Sequence, residues 1–209
     1  MNASQLPDLA GYPAVQRMVR EHLDMQFEDV RSMLRLPAGD LAGGCNFTAA
    51  AMLTNLVGGF SVVLYDDPDP TMPLATQRSR RGDRFRHLLV DHFPHDPVLE
   101  PPKATVVDVI YTFARNSLTH ALGLRQPGEP EINLCKRPLT PDEIETIERS
   151  QARPARLVGA IVAQRGVAAF DVSVIGLYWA TFRLLETLVT NNRHIAFAER
   201  ELHRGAWVP

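Results

Sequence analysis

Lysine is almost absent from this chain: Lys103 and Lys136 are the only two, and arginine carries the rest of the positive charge. Net charge is also lacking. The 22 basic and 24 acidic residues leave −2 at neutral pH, so no long-range field draws the whole molecule to nucleic acid or to an anionic membrane, and any such attraction has to come from a local patch. Two cysteines, Cys45 and Cys135, are too few and too far apart for a disulfide framework, which indicates a reducing compartment. The opening Met-Asn-Ala-Ser-Gln-Leu-Pro-Asp has neither a basic nor an apolar segment, so no secretory signal and a cytoplasmic location are expected. The longest apolar stretch, around Ala49 to Tyr65, is interrupted by Thr54, Asn55 and Gly58-Gly59 and reads as too short and too polar to span a bilayer, so no membrane association is expected. No glycine loop of the phosphate-cradling kind occurs, and Gly58-Gly59-Phe60-Ser61 lacks the second glycine of a nucleophile elbow. Nucleotide-cofactor and classical hydrolase chemistry therefore have no foothold, and no cofactor is expected.

What is present is ordinary globular composition, 45% hydrophobic over 209 residues, enough for one domain with a sizeable core. From Pro13 to Leu36 the residues Val15, Met18, Val19, Leu23, Phe27, Val30 and Leu34 recur at helical spacing, with proline suited to the first turn and Pro37 just past the end. Asn46 is placed to cap a second helix lined by Leu53, Leu56, Val57, Phe60 and Leu64. Glycine inside a helix costs roughly 1 kcal/mol against alanine, so Gly58-Gly59 implies a close helix contact or a kink. The segment from Phe60 to Tyr65 could instead form a strand. A proline-rich loop from Asp66 to Gln77 precedes a third helix, about Asp83 to Phe93, and a fourth runs from about Ala104 to Leu122 with Gly123 as its C-cap. Glu131 to Cys135 reads as a short strand, and Thr140-Pro141-Asp142-Glu143 is a capping box opening a helix that ends near Gln151. Leu157 to Val162 and Val167 to Val172 read as a hairpin, and a long helix from about Ser173 to His203 closes the chain. The expected architecture is a mainly α single domain: a helical core over about 13–125, a small strand and helix insert over about 130–172, and a packing helix over about 173–203.

The fourth helix carries the one constellation with chemical character. Asp108, Thr112, Asn116 and His120 are spaced by four, which predicts one polar stripe, while Arg115 lies about 140° around the helix from His120. Arg115-Asn116-x-x-x-His120 resembles the Arg-polar-x-x-x-His motif of HEPN domains, the all-helical nucleic-acid-associated domains of bacterial defence and toxin systems. Phe85-x-x-Leu88, His92-Phe93-Pro94 and Ile110-Tyr111 upstream resemble the approach to that motif in HEPN-like proteins, so the likeness extends over about the first 125 residues. The resemblance implies a homodimer with motif helices facing across a cleft, and metal-independent cleavage of RNA in which the ribose 2′-hydroxyl attacks the adjacent phosphate to leave a 2′,3′-cyclic phosphate. His120 would be the general acid or base, Arg115 would clamp the phosphate, and Asn116 would orient either. Beside this stands a plainer role, because arginine, asparagine and histidine on an interior helix also serve simply to tie neighbouring helices together by hydrogen bonds.

Two further clusters invite a reading. Arg78, Arg80, Arg81, Arg84 and Arg86, with His87, form the densest basic run and are the candidates for gripping RNA phosphates; a solvated face is the alternative. His87, His92 and His95, with Asp91 and Asp96, suggest metal ligation, but Pro94 interrupts the helix and no second ligand cluster follows, so no metal site is expected. Three functions are consistent with these patterns: a ribonuclease, a non-catalytic HEPN-like partner of RNA or of another toxin or defence component such as a nucleotidyltransferase, and a structural helical dimer with no nucleic-acid role.

Overall fold

The computed structural model describes residues 9–36, 45–67, 81–121, 130–161 and 168–204, with the side chains of 81 and 115–121 outside that description. It is a mainly helical protein with a small three-stranded mixed sheet. Helix α1 (Pro13–Arg17) passes through a π-helical stretch (Met18–Leu23) directly into α2 (Asp24–Arg35). The widened turns have a visible cause in the sequence. Val15, Val19, Leu23 and Phe27 are each four residues apart and all buried, and a regular α-helix would carry this row about 40° around the axis at each step. After it come α3 (Asn46–Val63), α4 (Arg81–His92), α5 (Lys103–Ala121), β1 (Glu131–Cys135), α6 (Pro141–Arg149), β2 (Val158–Ile161), β3 (Ala169–Ser173), α7 (Val174–Thr190) and α8 (Asn192–His203).

Helix α3 is the axis of the bundle. It packs against α2, α4, α5 and α7 and touches α8 and β1. Phe60 is helical and buried, so the strand alternative for Phe60 to Tyr65 does not occur. At 18 residues and a mean hydropathy of 1.3, α3 is long and apolar enough to cross a membrane, contrary to the sequence expectation. Much of that apolarity faces the protein interior, through Leu53, Leu56, Val57 and Phe60. Nor is Asn46 its cap: Cys45 occupies that position with φ 61°, and the Asn46 amide donates instead to the carbonyl of Leu134 on β1 (3.1 Å).

The sheet order is β1-β3-β2, with β2 antiparallel and β1 parallel to β3. The hairpin expected from the sequence is present, and β1 joins its far side. The capping box forms as read: Thr140 accepts from the Glu143 N–H, and Glu143 accepts from the Thr140 N–H. The long final helix, however, is two helices. Asn191 (φ −92°, ψ 112°) ends α7 and caps α8 by accepting the Arg193 N–H at 3.0 Å. Thr187 and Thr190 hydroxyls donate back to carbonyls four residues earlier, a pattern that weakens a helix end.

Buried charges join distant parts of the chain. Glu148 on α6 accepts from Arg31 Nε (2.7 Å) and from the Tyr178 hydroxyl, linking α2, α6 and α7. Glu100 accepts from Arg153 and from the Leu157 N–H (2.9 Å). Glu199 on α8 accepts from the N–H groups of Ala14 (3.1 Å) and Val15 (2.9 Å). Those two donors have no partner within α1, whose own N-cap Tyr12 offers no side-chain cap, so a carboxylate from the last helix closes the first one and opposes its dipole. Glu199→Ala should therefore cost about 1 kcal/mol, read from urea unfolding; an unchanged midpoint would mean that solvent caps α1 equally well.

Candidate functional site

Helix α5 begins at Lys103, behind Pro101 and Pro102, and runs unbroken to Ala121, so positions 115, 116 and 120 all lie in one continuous helix. Val106, Val107, Val109, Ile110 and Phe113 are buried, while Asp108 is exposed. At about 100° per residue, position 115 returns to within about 20° of Asp108 and so follows the outer face. Position 120 falls about 20° from Val109 and Phe113 and follows the inner one. The row from Asp108 through Thr112 and Asn116 to His120 is thus a winding line rather than a single straight seam, since each step of four adds about 40°. The side chains of Arg115, Asn116 and His120 lie outside the described residues.

The basic run divides in the same way. Arg78 and Arg80 fall outside the described residues, as does the side chain of Arg81. Arg84 is only 7% exposed. Its guanidinium donates to the carbonyls of Ser61 (3.0 Å) and Tyr65 (2.5 Å) and lies over the rings of Tyr65 and Phe197. It binds the carbonyl of Ser61 in the last turn of α3, where intrahelical donors run out, and that of Tyr65 just beyond the helix, which corrects its assignment to a phosphate-binding surface. Arg86, two residues and about 200° further round α4, sits half-exposed against α5. It pairs with Asp108 (2.5 Å) and lies 4.0 Å above the Tyr111 ring.

Alongside this stack, between α3 and the α4–α5 pair, opens a groove of about 540 Å³. Gly58, Gly59, Asn55 and Val62 form one wall; Phe85, Gly82, Tyr111 and Ala114 form the other. The two helical glycines do not make the close helix contact expected of them. A Cβ on Gly59 would meet nothing within 4 Å, and one on Gly58 would only reach the Phe85 ring at 4.0 Å. Gly82 is different: a Cβ there would collide with the Tyr111 hydroxyl.

A second polar cleft, of about 340 Å³, lies where the end of α3 meets α4 and α8. Here His92 and His194 face each other, Nε2 to Nε2, at 3.1 Å, with ring centroids 5.0 Å apart. The Asp66 N–H donates to His194 Nδ1 (3.1 Å), Arg193 pairs with Asp66 (2.7 Å), and the buried Tyr65 hydroxyl donates to Asp91 (2.5 Å). The backbone donor fixes the tautomers. Nδ1 of His194 must be an acceptor, so its Nε2 carries the proton and donates to His92, whose own proton is then on Nδ1. Burial lowers the pKa of both imidazoles, and at His194 the neighbouring His92 adds to the effect. Sequence reasoning grouped His92 with His87 and His95 and missed His194, 102 residues away. In the structure His87 pairs with Asp67 (3.1 Å) and His95 with the Pro101 carbonyl (2.9 Å), and among the described residues no three potential ligands converge on a metal position.

The histidine pair has a measurable consequence. Both folded-state pKa values lie below the ordinary 6.5, so the unfolded chain takes up these protons first. The pair's contribution to stability is whole above about pH 6.5 and is lost as pH falls from there through the depressed folded values. Urea unfolding at pH 7.5 and 5.5 should show lower stability at the acid end, and His194→Gln should reduce that difference. An equal difference in wild type and variant would count against the pair as its source.

Comparison with protein family models, with curated protein sequences and with solved structures gives no match for this chain.

Proposed function

We propose that this protein is a HEPN-like, metal-independent endoribonuclease of a bacterial defence or toxin system, working as a homodimer with Arg115, Asn116 and His120 at its reactive phosphate. The observation that carries the reading is the uninterrupted course of α5 from Lys103 to Ala121, which keeps the motif in helical register; a strand or loop between Ile110 and His120 would have ended it. The half-exposed Arg86, paired with Asp108, and the groove beside Tyr111 supply an arginine–aromatic surface on the same helix pair.

A second reading, a HEPN-like protein that binds RNA or a partner protein without cutting, is favoured by a different observation. Positions 115 and 120 lie on opposite sides of α5, and Arg84 is held inside the fold, which leaves fewer cations for a phosphate track. One experiment separates the two. Wild type, His120→Ala and Arg115→Lys are incubated with a mixed RNA pool in the presence of chelator, and each is melted in parallel. Catalysis predicts products ending in a cyclic phosphate, loss of about 10²–10⁴-fold in rate for His120→Ala with its fold intact, and partial activity for Arg115→Lys, since an ammonium lacks the bidentate fork. Intact RNA with wild type, together with a lower melting temperature for His120→Ala, would make His120 a strut and end the ribonuclease reading.

A further inference from the structure

We propose that the groove between α3 and the α4–α5 pair is a binding site for an unpaired base of single-stranded RNA, recognised by stacking; this rests on the RNA-directed reading of α5 given above. The volume, about 540 Å³, is that of a small-ligand pocket rather than a packing defect. Its two walls differ in the way a flat ring requires. On the α3 wall an added Cβ at Gly59 would meet nothing within 4 Å, whereas one at Gly58 would touch the Phe85 ring at 4.0 Å; each glycine costs about 1 kcal/mol against alanine. The opposite wall is aromatic: Phe85 and Tyr111, 5.9 Å apart and tilted by 55°.

Tyr111 is also held in place. Gly82 admits its hydroxyl at close range, and Arg86, fixed by Asp108, covers the ring at 4.0 Å. An aromatic ring stacked with an arginine is the platform on which proteins hold single-stranded bases, and it tolerates any base because every base has a π face. Few polar groups compete. The hydroxyls of Thr54 and Ser61 donate to carbonyls of their own helix, and the exposed Asn55 amide at the rim offers one donor and one acceptor edge. Position 115 lies one turn beyond Tyr111, about 40° round and about 6 Å along α5, the separation at which a base in the groove would set its own phosphate beside the motif.

The test uses Gly59→Leu, which adds bulk to the α3 wall at a position where an added Cβ meets nothing within 4 Å and where helix propensity improves. The probes are a single-stranded RNA hexamer of mixed sequence and adenosine monophosphate, titrated against the full chain by calorimetry. Wild type should bind the hexamer. Gly59→Leu should weaken binding about tenfold or more with an unchanged or higher melting temperature, Tyr111→Leu should do the same, and Tyr111→Phe should retain it. Unaltered binding by Gly59→Leu overturns the proposal, as does failure of wild type to bind either probe. A change of oligomeric state in Gly59→Leu with RNA affinity intact also overturns it, by making the groove an interface between copies. Cleavage by wild type with no effect of Gly59→Leu removes the base site alone. Groove-dependent binding without cleavage upholds the site and removes the ribonuclease.

Discussion

Helix α3 is apolar around nearly its whole circumference, and that is the constraint on which the structure depends. Such a helix cannot rest on the surface of a bundle; it has to be enclosed. Helices α2, α4, α5 and α7 close around it, α8 and β1 meet it more lightly, and the strip left over is the one that carries Asn55, Gly58, Gly59 and Val62. The groove is therefore a consequence of how α4 and α5 pack against α3, and its α3 wall is low because Gly58 and Gly59 carry no side chains there.

The same enclosure creates polar problems at the ends of helices and strands, and charged side chains from other parts of the chain solve them. Arg84 satisfies carbonyls at the end of α3, Glu199 satisfies N–H groups at the start of α1, and Glu100 takes the N–H of Leu157 just before β2. Each of these ions is held by more than one partner, the condition under which burying charge is tolerable. The His92–His194 pair is an uncharged counterpart, joining α4 to α8 through imidazoles whose tautomers are set by one backbone N–H. Arg86 contrasts with Arg84. Two residues apart on one helix, they point to opposite sides, and the first becomes a strut while the second stacks at the surface.

Much of the architecture was legible in the sequence because helix starts, stops and periods are properties of neighbours. Pro13, the spacing of Val15 to Leu34, the capping box at Thr140 and the aliphatic runs around β2 and β3 act over a few residues, and each element appears where those signals lie. The continuity of α5 through positions 115 to 120 is of the same kind, so the candidate motif could be placed on a helix from sequence alone.

What only the tertiary structure decided are the relations between residues far apart in the chain. No local pattern announces that β1 pairs parallel with β3, that Asn46 serves β1 instead of its own helix, or that His92 meets His194. A run of arginines reads as one cationic patch in sequence, yet a helix turns successive residues through about 100°, and the packing of α4 on α3 and α5 then determines which guanidinium enters the core. The sequence by itself determined most of the helical and strand segments, because these follow from short-range periodicity and capping. The fold determined which polar groups are struts and which face an open groove, because burial is set by contacts between elements that the chain brings together only when it closes around α3.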